Sequence, residues 1–396
     1  MGLATGPVSF QRFFIAGPAP AELTDKLAAA IVEHGFGRLA TLPDDTQLGW
    51  TGPSHVFDTQ LAAERIAIGS FVHLALRVDR LRPPAGVLRG YVRLAEEAAL
   101  QASGREYLSK LERRKAREVA AQRAEQEARD GAFRRISAYP VLVDLAGGAV
   151  YLGSAGASTA DRLMKLFSDT FGAGLEPADP QRLALRLLAP SGRARALENL
   201  APAQLVRPPD GYQESAAAAF AVGDLAFLGR ELLAWLWFRS DSDEAVLRVR
   251  DGAQVSAAID RGLRLKCAFD LTGTTTVVAD GPTRLPECKA ALRIGKQPVR
   301  AGLVLDGPGG GVRLTLDGVR LSVSGLQLPE PQGVSSERER LEQRFEQIVE
   351  TATLLDALFE LFLLQRTAGD WPAELQRMSA WATGLPRDRR LQAASA

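Results

Sequence analysis

Between Arg105 and Gln126 the chain contains neither proline nor glycine, and most of its residues favour helix. At about 100° per residue, one face of this helix collects four cations, namely Lys110, Arg113, Arg114 and Arg117. The opposite side carries a narrow stripe made of Leu108, Leu111, Val119 and the aliphatic stem of Lys115. The pattern therefore predicts a helix that docks by a thin apolar edge and projects its cations outward.

The segment 77–135 holds most of the unbalanced positive charge of the chain. It contains 15 Lys or Arg and 9 Asp or Glu, a net charge of +6, whereas the whole chain is +1 and the remainder is therefore −5. A nearly neutral protein with one basic element has a defined place for an anion, and nucleic acid is the commonest large anion. The alternative is a solvated helix whose charges only keep the protein soluble. We predict DNA contacts from Lys110, Arg113, Arg114, Lys115, Arg117, Arg134 and Arg135.

Length and composition place the chain among globular proteins of two or three domains. Its 396 residues are 46% hydrophobic, which is enough to form substantial cores. The first residues lack the apolar stretch of a secretory signal, and no apolar run reaches the roughly eighteen residues of a membrane span. The two cysteines, Cys267 and Cys288, are typical of a reducing compartment. We therefore expect a cytoplasmic protein that does not associate with a membrane.

Strand-like and helical patterns alternate along the chain and predict an α+β fold with a charged helical arm. Three prolines and a glycine between Pro202 and Gly211 mark a linker. The predicted regions are an N-terminal α+β domain (1–200) that includes the basic helical arm (91–130), a linker (201–220), a β-rich domain (221–335) and a C-terminal helical segment (336–396).

The C-terminal segment contains the most regular helical pattern of the sequence, from about Ser336 to Thr367. Its apolar residues step by four and three, which predicts a seam of about three heptads. This seam could pack on the β-rich domain of the same chain or against a second copy. For the second case we predict a dimer interface made of Leu341, Phe345, Ile348, Leu355 and Phe359.

The first half of the chain resembles the RdgC family of recombination-associated DNA-binding proteins. The similarity covers roughly residues 5–180, with a further patch at Leu228–Glu244. It is carried, in order, by VSFQRFFI, ELTDKLAAAIVEHGFGRL, the turn LGW, the helical block from LAEEAAL through GREYLSKLERRKAREV, YPVLVDLAGGAVYLGS, ADRLMKLFSDTFGAGLEP and the later patch LGRELLAWLWFRSDSDE. The β-rich region and the long C-terminal helix depart from compact members of the family.

The resemblance implies a homodimeric ring or clamp whose basic inner surface encloses duplex DNA without reading its sequence. Such a protein restrains RecA-type strand exchange by occupying the duplex, and it is associated with the nucleoid. It needs no cofactor, no metal and no catalytic residue. Lysine and arginine side chains on a rigid element suit this role, because they neutralise phosphates whatever the base sequence.

An enzymatic alternative rests on Glu287-Cys288-Lys289 with Asp280 upstream. It resembles the acidic and E-x-K arrangement of some metal-dependent nucleases, in which carboxylates hold Mg²⁺ and the lysine positions water. Pro286 argues against Glu287 lying in the middle of a strand, and E-x-K tripeptides are common by chance. A third alternative is an interaction protein whose terminal helix recruits a partner.

Overall fold

The computed structural model of the chain describes residues 2–17, 20–42, 45–209, 212, 225–242, 245–250, 252–307 and 309–384. Thirteen antiparallel strands and ten α-helices lie in this part of the chain, which confirms the predicted α+β class. None of the described helices is long and apolar enough to cross a membrane.

The bounds of the elements are as follows. The strands are β1 (Val8–Ile15), β2 (Thr46–Thr51), β3 (Ala67–Ile68), β4 (Phe71–Arg80), β5 (Arg135–Asp144), β6 (Ala149–Leu152), β7 (Leu175–Pro177), β8 (Val246–Arg248), β9 (Gln254–Cys267), β10 (Thr275–Val278), β11 (Lys296–Gly307), β12 (Gly310–Asp317) and β13 (Val323–Gln327). The helices are α1 (Asp25–Glu33), α2 (Ala63–Ile66), α3 (Ala85–Ser103), α4 (Lys110–Arg129), α5 (Ala157–Phe171), α6 (Pro180–Leu188), α7 (Phe227–Ser240), α8 (Pro286–Arg293), α9 (Glu337–Arg366) and α10 (Trp371–Thr383).

The chain divides into two compact units that interleave in sequence. The first comprises Pro20–Leu145 and Ala157–Gly174, and the second comprises Gly2–Ala19, Ala146–Gly156 and Leu175–Ala396. This division differs from the predicted regions, because β1 pairs with β13 and α6 packs against α9. Strand β1 and the residues after 174 therefore belong with the C-terminal half rather than with an N-terminal domain.

In the first unit, β4 lies between β2 and β5, and β3 adds to one end of β4. Nine of the ten residues of β4 are buried, so this strand forms the centre of the unit. Trp50 on β2 donates its indole N–H to Thr170 Oγ1 of α5 at 2.8 Å. Gly49 lies inside β2 and not in the turn predicted there. The Phe36 backbone approaches it so closely that a Cβ would stand 2.6 Å away, which explains the glycine at this position. Trp50 therefore anchors a helix to the sheet.

Helices α3 and α4 pack against each other and form the predicted helical arm, which follows β4 and leads back into β5 within the first unit. Gly104 ends α3 in the left-handed conformation (φ 63°), where a glycine carries no steric penalty. Ser109 then starts α4 with a capping box shared with Glu112. The Tyr91 hydroxyl donates to Glu127, which ties the first half of α3 to the end of α4.

In the second unit the strands follow the order β10-β9-β11-β12-β13-β1-β6, with β8 on β9 and β7 on β1. Helix α7 shows no amphipathic period because eleven of its fourteen residues are buried. One of them, Glu231, forms a buried ion pair with Arg366 at 2.8 Å and accepts a hydrogen bond from the backbone of Ala203. Arg366 also donates to the carbonyl of Ala201 at 2.6 Å, so the start of the predicted linker is anchored in the core. Much of the rest of that linker (210–211 and 213–220) lies outside the described residues.

The predicted dimer interface on α9 is wrong for most of its residues. Phe345, Ile348 and Phe359 are at most 1% exposed and lie in the core of their own unit, so they are not available to a second copy. Leu341 and Leu355 are half-buried. The heptad seam is real, but its partners lie in the same chain, since α9 packs against α6 and α7 and its Asp356 pairs with Arg12 of β1.

The close packing of the arm leads to a stability prediction. Ala120 is 1% exposed on the buried side of α4, so Ala120→Leu should overfill the contact and lower the free energy of unfolding by about 1–3 kcal/mol. The neighbouring Val119 is 58% exposed, and Val119→Leu should change stability by less than about 0.5 kcal/mol. Urea denaturation measures both, and equal effects would contradict the assigned packing.

A second prediction concerns pH. Burial lowers the pKa of His73 on β4 to about 4, below its ordinary value of 6.5. Between these two values the unfolded chain binds more protons than the folded chain, so stability is lost as pH falls from about 6.5 towards 4. His73→Leu should flatten the dependence of unfolding free energy on pH by up to about 3 kcal/mol across this window. Parallel curves for the two proteins, measured by denaturation at several pH values, would refute the assignment.

Candidate nucleic-acid interface

Helix α4 docks by a stripe of small residues rather than by the apolar edge that its sequence suggested. Four alanines at a spacing of four residues are at most 6% exposed, namely Ala116, Ala120, Ala124 and Ala128. Of the predicted stripe only Leu108 is buried, whereas Leu111 and Val119 are 63% and 58% exposed and Lys115 is exposed. Alanine lets two helix backbones approach closely, and this close approach leaves longer side chains outside the contact.

The predicted cations of α4 therefore lie in solvent. Lys110, Arg113, Arg114, Lys115 and Arg117 are all exposed and lie within the first eight residues of the helix. Arg114 pairs with Glu118 at 3.0 Å, and both side chains are more than half exposed. Within the described residues the other four form no ion pair. Five of the seven predicted DNA contacts are thus exposed on one short stretch of helix.

Glu112 lies among these cations but is used by the helix cap. Its carboxylate accepts a hydrogen bond from the Ser109 backbone at 2.7 Å, and its own backbone N–H donates to the Ser109 hydroxyl. The hydrogen bonds from Ser109 lower the pKa of Glu112. Arg105 approaches the same carboxylate at 3.6 Å. Because the helix cap and Arg105 engage its carboxylate, Glu112 competes only weakly with a bound anion for the cations on the outer face of α4.

Arg134, a predicted DNA contact, is 38% exposed, but its guanidinium is held by a buried carboxylate. Its Nε donates to Asp79 Oδ2 at 2.7 Å, and Asp79 is fully buried. Arg77 binds the same carboxylate by two hydrogen bonds of 2.9 and 2.8 Å, and its guanidinium lies over the ring of Phe36. A buried carboxylate needs such partners, so the primary role of Arg134 is structural.

Arg135 is exposed and lies directly opposite Arg80 in the β4–β5 ladder. Like charges directly opposite each other in a sheet are destabilising, so this pair favours a bound anion. Arg80 was absent from the predicted contacts. Only the strand register reveals it, since 55 positions separate the two residues in sequence.

The two groups of cations lie at different points along the arm. Arg80 and Arg135 lie at its base, where β4 leads into α3 and β5 follows α4. Lys110 to Arg117 lie in the far half of α4, a helix of 20 residues and thus about 30 Å long. This length is close to one turn of duplex DNA, about 34 Å.

The residues of the nuclease alternative do not take up the strand geometry of an E-x-K site. Asp280, Glu287 and Lys289 are all exposed, and Glu287 and Lys289 lie two positions apart on helix α8. At 100° per residue these two side chains point to nearly opposite sides of the helix. Among the described residues no group of three or more His, Cys, Asp or Glu could hold a metal ion.

In comparisons with known proteins, no family model matches the chain and no curated protein is significantly similar to it.

The structural role of Arg134 and the exposed position of Arg113 lead to a prediction about stability. Arg134→Ala should lower the free energy of unfolding by about 1–3 kcal/mol, because it leaves the buried Asp79 carboxylate with one partner fewer. Arg113→Ala removes an exposed side chain and should change stability by less than about 0.5 kcal/mol. Urea denaturation distinguishes them, and an Arg134→Ala protein as stable as the native chain would contradict the structural role.

Proposed function

We propose that this protein binds duplex DNA without reading its sequence, through the exposed cations of α4. The observation that carries the proposal is that five lysine and arginine side chains on one helical stretch are exposed while alanines make the helix contact. Four of the five form no ion pair with the described residues, so they can meet phosphates without first leaving a protein partner.

The chemistry of these groups favours phosphate contact over base recognition. Lysine and arginine attract the DNA backbone through counterion release, which is indifferent to sequence. The Arg114–Glu118 pair is exposed and i,i+4, so exchanging it for a phosphate costs only about 0.3–0.5 kcal/mol. The cations at Arg80 and Arg135 would extend the contact towards the base of the arm.

The proposal extends to a homodimeric clamp that restrains RecA-type recombination on the nucleoid. Its support here is the sequence resemblance to RdgC proteins. Three of the five residues predicted at the subunit contact do not contribute, because Phe345, Ile348 and Phe359 are buried within the chain. A second copy would therefore need another surface.

Charge reversal on the arm tests DNA binding. The triple variant Arg113→Glu, Arg114→Glu and Arg117→Glu should lose at least about a hundredfold in affinity for a fluorescently labelled 30-base-pair duplex at about 0.1 M salt. Attraction becomes repulsion at three phosphate contacts, whereas exposed positions leave the fold unchanged.

The matched control makes the same change of charge at three exposed cations outside the arm, with Lys26→Glu, Arg193→Glu and Arg195→Glu. It should bind within about threefold of the native chain, since long-range charge effects are screened beyond roughly 10 Å at 0.1 M salt. Equal losses in the two variants would show that net charge, rather than the arm, governs binding. Retained affinity in a folded arm variant would move the contact to another surface.

A further inference from the structure

A cavity of about 550 Å³ lies in the second unit, away from the arm in sequence and bordered by α7, β9, α8 and α10. Its volume lies within the usual range for small-molecule sites, about 300–1,000 Å³. One wall is aromatic, since Trp237 and Trp381 meet edge to face with ring centroids 5.3 Å apart. Leu292 and Ile259 add apolar surface. This wall suits a flat ring.

The aromatic wall also carries polar groups that face the cavity. Trp381 donates its indole N–H to Asp241 Oδ2 at 3.2 Å. Trp237 is fully buried and lines the cavity, and its indole N–H makes no well-aligned hydrogen bond with the described residues. Burial raises the pKa of Asp241, while the two indoles, Lys289 and Arg284 act in the opposite direction. The exposed Asp241 carboxylate thus provides a hydrogen-bond acceptor beside the ring of Trp381, as recognition of a heterocycle requires.

The lining of the cavity also contains cations. Arg284, Lys289 and Arg293 line it, and none of them forms an ion pair with the described residues. Against these three charges stand Asp241 and the C-terminal ends of α7, α8 and α10, and each helix end contributes about −0.5. The cavity therefore has an excess of about half a positive charge. This excess fits a monophosphate, with a charge of about −1.5 to −2, better than a triphosphate.

We propose that this cavity binds a nucleoside monophosphate, with the base against Trp381, whose ring is backed by Trp237, and the phosphate near Arg284 and Lys289. The site belongs to one unit, and none of its residues contributes to the arm. Its success or failure is therefore separate from that of DNA binding.

Isothermal titration of the full chain with AMP at low salt tests the proposal, with adenosine and inorganic phosphate as partial probes. AMP should bind at least tenfold more tightly than either probe and should change the tryptophan fluorescence. The double variant Arg284→Ala and Lys289→Ala should lose at least tenfold in AMP affinity and little in adenosine affinity. Its matched control, Arg193→Ala with Arg195→Ala, removes two exposed cations elsewhere and should bind AMP as the native chain does.

Three results would overturn the assignment. These are absence of AMP binding at millimolar concentration, phosphate binding as tight as that of AMP, and unchanged AMP affinity in a double variant that circular dichroism shows to be folded. The second of these would reduce the cavity to a site for simple anions.

Discussion

The buried carboxylate of Asp79 joins the two ends of the helical arm. It holds Arg77 on its own strand and Arg134 just before β5, so the strand that leads into the arm and the strand that follows it are fixed together. Leaving this buried carboxylate with one partner fewer costs about 1–3 kcal/mol, which makes the contact a clear constraint. The contact reinforces the β4–β5 ladder, which places Arg80 opposite Arg135 at the base of the arm.

Within the arm, packing and charge are assigned to different residues. Alanines with little side-chain entropy make the helix contact, and the capping box starts α4 at the far end of the arm. The long cations are consequently not needed for packing. A surface built in this way can give its charges to a ligand without loss of stability, which suits an electrostatic contact that forms and breaks rapidly.

The sequence predicted the α+β class, the arm and the exposure of its cations because charge and helical period are local properties. It could not predict which edge of α4 docks, since Leu111 and Val119 are the more apolar choice and the close approach of two backbones selects alanine instead. Arg134 and Arg80 show the same limit. The role of Arg134 depends on the buried carboxylate of Asp79, and that of Arg80 on its pairing with Arg135, and in both cases the partner is 55 residues away in sequence. The seam on α9 was recognised, but a heptad period does not state whether its partner lies in the same chain or in a second copy. The cavity was missed because its aromatic wall and its cations come from four separate elements.

The dependence of duplex affinity on salt tests the central claim most directly. If five cations of α4 each neutralise about one phosphate, the logarithm of the association constant should fall linearly with the logarithm of salt concentration, with a slope of about −4 to −5. Duplexes of unrelated sequence should give the same slope. A slope near zero, or no binding at low salt, would contradict the account.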